Sequence, residues 1–322
     1  MNLPPLKIGN LIAKVPIIQG GMAVKVSTSS LAAAVAEEGG IGLIAASGMT
    51  DDELRQEIKK ARNLTKGIIG INIMFAAKRF LNLVEVAIQE GIDLIVTGAG
   101  FSRDIYPIGQ KSNTPIVPIV STAKLAKIAE KMGAAAVVVE GKEAGGHLGT
   151  DRPAFDILRE VRQAVKIPVI IAGGILYGRD IAKALKLGAD GVQMATRFVM
   201  SEECTVAQEF KEAYLHSKPE DIVIIQSPVG LPGRAIKNRF VERLLENDPT
   251  VKPEHCDQCL KKCKHNFCIM KALYEGRKGN MQEGLVFSGE RVGEIKDILP
   301  VKDIMKNLVS EAEEYLNKEV NG

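Results

Sequence analysis

The chain has 322 residues, 46% of them hydrophobic and 25% charged, with a formal net charge of +3. That balance belongs to a folded globular protein, excludes disordered and fibrous classes, and gives no electrostatic reason to expect a nucleic-acid partner. No apolar stretch reaches the roughly 18 residues that cross a bilayer, and Met1-Asn2-Leu3-Pro4-Pro5 lacks the basic-then-apolar pattern of a secretory signal, so the reading is a cytoplasmic protein with no membrane partner.

From Val15 onward, short apolar runs alternate with helix-like stretches. Val15 to Ile18 reads as a strand ending in Gln19-Gly20-Gly21-Met22, and Ser27 to Glu38 as an Ala-rich helix. Ile41 to Ile44 is the second strand. It is followed by a helix over Thr50 to Asn63, for which Thr50 and Glu53 supply a capping box. Ile68 to Ile73 is the third strand, with Asn72 near its end, and Lys78 to Glu90 is the third helix. Leu94 to Val96 ends at Thr97-Gly98-Ala99-Gly100. The helix after it is limited to a turn or two by Pro107 and Gly109. Ile116 to Val120 precedes a helix over Ala123 to Lys131, and Ala134 to Val139 is the sixth strand. Pro168 to Ala172 ends in Gly173-Gly174 before a helix over Gly178 to Leu187, and Gly191 to Met194 ends in Ala195-Thr196-Arg197.

Eight β-then-α units joined by short connections predict a (β/α)8 TIM barrel, with a doubly wound open sheet as the competitor, since strand order cannot be read from sequence. The barrel is assigned to residues 1–216. Residues 217–322 form a helical appendage with a Pro/Gly-rich loop, Ser227 to Arg234, poised to cover substrate. Helix-like stretches follow over Ala235 to Glu246, Ile269 to Arg277 and Val301 to Leu316. Gln19, Asn72, Thr97, Ser121, Glu140 and Gln193 are polar residues at the carboxyl ends of apolar strands, where barrels bind their ligands.

The sixth strand opens into Glu140-Gly141-Lys142-Glu143-Ala144-Gly145-Gly146-His147. Paired glycines before a histidine let backbone approach a flat or charged ligand while an imidazole faces it. His147 is the candidate catalytic residue, because imidazole titrates near neutral pH. Glu140 and Glu143 either orient His147 or polarise a cofactor edge, or one of them caps the next turn. Lys142 and His216 read as solvated. Gly173-Gly174 and Ala195-Thr196 fall at the last two strands, where barrels hold phosphate on backbone N–H groups. Gly20-Gly21-Met22 does not continue as a dinucleotide fingerprint. Flavin mononucleotide, FMN, is the cofactor that suits these features.

The segments Gln19 to Ala23, Gly70 to Met74, Glu140 to Gly149, Ala172 to Ile175 and Gly191 to Phe198 resemble the nitronate monooxygenase family, formerly 2-nitropropane dioxygenases. That family includes the FMN-dependent enoyl-acyl-carrier-protein reductase II (FabK) branch, and the likeness runs from about Pro4 to about Arg239. The resemblance implies that Gly21, Met22 and Ala23 lie along the flavin ring and that Asn72 hydrogen-bonds it. It implies further that Gly145 and Gly146 approach the cofactor, that Gly173 and Gly174 hold its phosphate, and that Gln193, Met194, Ala195 and Thr196 complete the cradle. His147 is then the catalytic residue. The reductase branch commonly follows its Gly-Gly-His-x-Gly with an acidic residue and two threonines, whereas this chain has Thr150-Asp151-Arg152-Pro153. The expected activity is oxidation of nitronates or nitroalkanes with O2 to a carbonyl compound and nitrite. The alternatives are an NAD(P)H-dependent reductase and a non-catalytic flavin- or metal-binding regulator. The partner is a small-molecule substrate, and an oligomer is left open.

Cys256, Cys259, Cys263 and Cys268 lie within thirteen residues, beside His255 and His265. Four thiols so close predict a zinc or iron–sulfur site, although the spacing matches no standard ligand pattern in full. Reduced cysteines on a helical hairpin and redox disulfides are the competing readings. Nearby lysines lower thiol pKa values in any of these cases.

Overall fold

The computed structural model describes residues 3–318. Residues 1–2 and 319–322, including the Met1-Asn2 start of the leader reading, lie outside the described residues. A two-stranded antiparallel hairpin, β1 (Leu6–Ile8) and β2 (Leu11–Ala13), opens the chain. Its two-residue loop begins with Gly9 at φ +58°, the positive φ that tight hairpin turns require. Leu6, Ile8 and Ala13 pack with Ile18, Ile41, Leu94 and Val138, so the hairpin closes the amino-terminal end of the barrel.

The barrel strands are β3 (Ile17–Gln19), β4 (Ile41–Ala45), β5 (Ile68–Met74), β6 (Leu94–Gly98), β7 (Ile116–Val120) and β8 (Val137–Glu140). After the short β9 (Gly146–His147), which lies outside the barrel, come β10 (Val169–Ala172) and β11 (Gly191–Met194). All eight are parallel and close in sequence order, β11 pairing with β3. This is the expected (β/α)8 barrel, and the open sheet is excluded. Helices α1 (Ser29–Glu37), α2 (Asp51–Leu64), α3 (Phe80–Gln89), α4 (Ile105–Ser112), α5 (Ala123–Lys131), α6 (Ala154–Ala164) and α7 (Gly178–Lys186) follow their strands. The capping box is present: Thr50 Oγ1 accepts from Glu53 N–H at 3.2 Å, and Glu53 Oε2 accepts from Thr50 N–H at 2.9 Å. In α4, Pro107 falls in the first turn, where a missing N–H breaks no helical bond, and the helix spans only two turns.

Along each strand, alternate side chains face inward. Leu43, Val96, Val138, Ile170 and Ala172 form the interior column, while Ile44, Ile95, Val139 and Ile171 face the helices. The last inward positions therefore floor the open end. Gly20, Asn72, Gly98, Ile119, Glu140 and Gln193 occupy that floor.

Beyond β11 the chain continues through the one-turn α8 (Thr196–Val199) and α9 (Gln208–His216). It then forms β12 (Ile222–Gln226) and β13 (Pro232–Ile236), α10 (Arg239–Leu245), α11 (Ile269–Arg277) and α12 (Val301–Lys318). The helix expected over Ala235 to Glu246 starts later: Ala235 and Ile236 pair in β13, and Asn238 Oδ1 caps α10 by accepting from Val241 N–H at 3.0 Å. The loop expected over Ser227 to Arg234 is a hairpin turn only over residues 227–231, since Pro232, Gly233 and Arg234 already pair in β13. That hairpin takes β9 as a third antiparallel strand. Helix α12 packs against α7 and α1 and fills the gap in the outer ring that the short α8 leaves. Glu311 Oε2 accepts from Gly178 N–H at 2.7 Å, fastening α12 to the start of α7. No helix among the described residues is long and apolar enough to cross a membrane.

Candidate active site

The open end of the barrel leads into a cavity of about 1270 Å³, its mouth included, roofed by residues of the appendage. A second, smaller cavity adjoins it at the ends of β10 and β11. Gly21, Met22, Ala23, Asn72, Gly146 and His147 line the first, and Gly173, Gly174 and Met194 line the second. Gly145, Gln193, Ala195 and Thr196 line both. The structure thus brings His147 and every sequence-predicted cofactor residue to these two adjoining cavities.

His147 is held by chain pairing rather than by its own loop. Gly233 and Arg234 of β13 stand opposite His147 and Gly146 in antiparallel register, and Leu148 N–H donates to Pro232 O at 2.8 Å. Arg234 reaches back to the carbonyls of Ala144, at 3.2 Å, and Lys142, at 2.6 Å, pinning the loop from Glu140 onward. His147 Nε2 lies 2.8 Å from Ser227 Oγ, a fully buried hydroxyl that also accepts from Val229 N–H at 3.3 Å. The Phe287 ring meets the imidazole edge-on at 5.3 Å. Burial pushes the His147 imidazole down to about 4, so it is neutral near pH 7 and able to accept a proton.

Glu140 ends β8 on the floor, and burial pushes its carboxyl up to about 8. Glu143 is used locally: its carboxylate accepts from Ala154 N–H at 3.0 Å and caps α6. Lys142 and His216 are exposed, as expected. Of the other polar strand ends, Gln19 turns into backbone bonds with Leu43 and Gly20, Ser121 donates to Gly149 O, and Thr97 faces the helices rather than the cavity.

The sequence reading missed the roof. Ser288 Oγ is buried in the cavity wall without a partner, as is Gln193 Oε1 on the floor. Gly289 N–H donates to Thr196 Oγ1 at 3.0 Å, and Arg291 donates to Gly174 O at 2.6 Å while paired with Asp180 and Glu294. Gly145 lies so close that a Cβ there would sit 2.5 Å from the Ser288 carbonyl carbon, which is why the sequence needs glycine. Only the polar–glycine pattern Ser288-Gly289-Glu290-Arg291 signalled a loop at this point.

The zinc or iron–sulfur site expected at Cys256, Cys259, Cys263 and Cys268 is not supported. Among the described residues, no three His, Cys, Asp or Glu side chains gather as a ligand set. All four thiols are free and half-buried. The reason lies in how residues 252–267 run, as an irregular strap rather than a helical hairpin. Cys259 O accepts from Lys78 N–H and Ala76 O from Lys261 N–H, while Lys264 N–H donates to Pro228 O. Cys259 and Cys263 pack with Val24, Phe240 and Phe267, whereas Cys268 sits at the start of α11.

The model of the nitronate monooxygenase family matches residues 5–311. The chain belongs to the nitronate monooxygenase family. Among the relatives of this family member is the (3aS,4S,5R,7aS)-5-hydroxy-7a-methyl-1-oxo-octahydro-1H-indene-4-carboxyl-CoA dehydrogenase of Rhodococcus jostii, 29% identical over 92% of each chain. FabK from Thermotoga maritima superposes with a TM-score of 0.86 at 33% identity, covering 95% of each chain. Nitroalkane oxidase from Streptomyces ansochromogenes superposes with a TM-score of 0.81 at 26% identity, covering 96% of this chain and 98% of that one. Members of the nitronate monooxygenase family are oxidoreductases acting on small molecules, and this chain is one by descent.

Proposed function

We propose that the protein is an FMN-dependent oxidoreductase that oxidises nitronates and nitroalkanes with O2, releasing a carbonyl compound and nitrite. The observation that carries the reading is His147, facing the cavity and braced by Ser227 at 2.8 Å. FMN suits the residues present. Gln193 Oε1 and Ser288 Oγ are buried without partners in the cavity wall, and Gly173 and Gly174, at φ +96° and +73°, leave the second cavity free of side chains where a phosphate needs room. Gly173, Gly174, Ala195 and Thr196 hold the phosphate end in this assignment, and Met22, Ala23 and Asn72 the ring. When bound, FMN accepts the electrons of the substrate and passes reducing equivalents to O2.

The chain's own part is acid–base chemistry and positioning. His147 accepts the α-proton of a neutral nitroalkane on a ring nitrogen, and Ser227 keeps the imidazole turned towards the cavity. The apolar wall formed by Phe210, Leu273 and Leu285 keeps water from the reacting carbon.

A second reading, an NAD(P)H-dependent reductase of a longer acyl substrate, is favoured by the same wall. Val26, Val199, Phe210, Leu273 and Leu285 extend the cavity beyond what a short nitroalkane fills, and the FabK likeness covers nearly the whole chain. Anaerobic mixing of the FMN-loaded protein with a nitronate, NADH or NADPH separates the two. Bleaching by the nitronate alone is expected. Bleaching by a pyridine nucleotide and not by the nitronate transfers the assignment to the reductase.

A further inference from the structure

The apolar wall of the first cavity begins beside His147. Phe287, which meets the imidazole edge-on at 5.3 Å, bridges Ala235 of β13, and Ile236 N–H donates to Val286 O at 2.9 Å. Side chains alternate along this run, so Leu285 shares the cavity face with Phe287 while Val286 enters the main core. Leu285 N–H donates to Ala272 O at 2.8 Å, and a Cβ on Gly276 would stand 2.4 Å from Leu285 O. That close approach seats α11 against residue 285 and brings Leu273 into the same wall. Tyr214 donates its hydroxyl proton to Phe287 O at 2.5 Å and stacks on Phe210, which ties α9 to the segment as well. Val26 and Val199 complete the wall from the barrel side.

No lysine or arginine stands among the described residues that line this cavity. The cations on the wall's own helices are committed elsewhere. Lys211, next to Phe210, donates to Ser201 O at 2.6 Å, and Lys271 is exposed. Arg277, one turn beyond Leu273, donates to Lys25 O at 2.8 Å, and the Lys25 ammonium is paired with Glu53. The one carboxyl in the lining, Glu140, is acidic and offers an anion nothing. When His147 takes the α-proton, the imidazolium so formed is the counter-charge of the nitronate. A second anionic group on the substrate finds no counter-charge, and an uncompensated buried charge is costly. Hydrocarbon in the same place is favoured by about fourfold per buried methylene.

We propose that the substrate is a nitro compound carrying an uncharged hydrocarbon tail of several carbons. Val26, Val199, Phe210, Leu273 and Leu285 form the subsite that selects this tail and rejects carboxylate-bearing analogues. The head group rests on the nitroalkane reading above; the tail subsite is a property of the wall.

The test is the anaerobic rate of FMN reduction in the loaded protein by unbranched primary nitroalkanes from nitroethane to nitrohexane. They are compared with ω-nitrobutanoate, which has nearly the length of nitropentane but ends in a carboxylate. The second-order rate constant is expected to rise about fourfold per added methylene. It is expected to fall at least about 10²-fold from nitropentane to ω-nitrobutanoate. Leu273→Lys, which places a cation on the wall, should narrow that gap at least about tenfold; if this variant does not fold, the wild-type series decides. Calorimetry with the unreactive amides from propanamide to hexanamide reads the wall without chemistry, and binding should tighten with each methylene. A flat or falling nitroalkane series, or ω-nitrobutanoate reacting as fast as nitropentane, overturns the subsite while leaving nitroalkane oxidation in place. An unchanged gap in folded Leu273→Lys overturns the assignment to this wall. If no nitro compound reduces FMN, the nitroalkane reading fails, and the amides decide the subsite by themselves: no gain per methylene overturns it too.

Discussion

At the scale of single residues, His147 and Glu140 are titratable groups that burial moves in opposite directions, one down to about 4 and one up to about 8. His147→Ala is expected to retain FMN and to lose turnover with a neutral nitroalkane by roughly 10²–10⁴-fold. The loss on preformed nitronate should be smaller, because no α-proton then has to be removed; equal losses on both substrates would assign His147 to binding instead. Stability should carry the same two signatures. The depressed His147 pKa makes the fold gain stability as pH rises from about 4 to 6.5, whereas the raised Glu140 pKa makes it lose stability as pH rises from 4.5 to about 8. Between pH 6.5 and 8 only the Glu140 contribution changes. Melting temperatures of the cofactor-free protein should therefore fall less across that window in Glu140→Gln than in the wild type. Gly174 belongs to this scale too. At φ +73°, with Glu143 Cβ 3.3 Å from where its own Cβ would be, Gly174→Leu should release FMN during dialysis that the wild type survives.

At the scale of elements, the reading was best where a local rule decides the outcome. The Thr50–Glu53 capping box formed as expected, and Thr50→Ala should cost about 1 kcal/mol in urea denaturation, since it removes the hydroxyl that accepts from Glu53 N–H. The amino-terminal hairpin was legible and overlooked. Leu6 and Ile8 alternate with Lys7, and Gly9-Asn10 is a two-residue turn of the type that joins antiparallel strands. The β12–β13 hairpin was less legible. Pro228, Gly230, Pro232 and Gly233 all argue for a loop, and β13 persists because its partners β12 and β9 supply hydrogen bonds from both sides. The cysteines were misread for a related reason: their spacing allows a metal site, but residues 252–267 are laid out by bonds to Ala76, Lys78 and Pro228, which lie far away in sequence.

At the scale of the whole molecule, the carboxyl-terminal helix is part of the barrel wall. Val301, Ile304, Met305, Leu308 and Ala312 of α12 are buried in the main core, against the helices that flank the seam between β11 and β3. Leu308→Ala should destabilise the protein by about 2–5 kcal/mol, because the cavity it leaves lies between helices fixed by the closed sheet. Chemical denaturation monitored by circular dichroism checks this. A cost below about 0.5 kcal/mol would show that α12 is a loose appendage.

Local pattern along the chain was enough for the barrel, for the end of it that opens into the cavity, and for the loop that carries His147. Each of these follows from local pattern: apolar runs at regular spacing, right-handed crossovers, and glycines where strands open. The features that local pattern left open join residues remote along the chain. Ser227 lies 80 residues from the imidazole it braces, and residues 289–291 close the second cavity, which is also lined by Gly173. Which polar strand ends face the cavity also depended on strand parity and register, which place Glu140 and Gln193 inward and Thr97 outward. Barrel closure fixes these juxtapositions, and no local periodicity encodes them, because the free energy of each contact depends on surfaces that exist only once the sheet has closed.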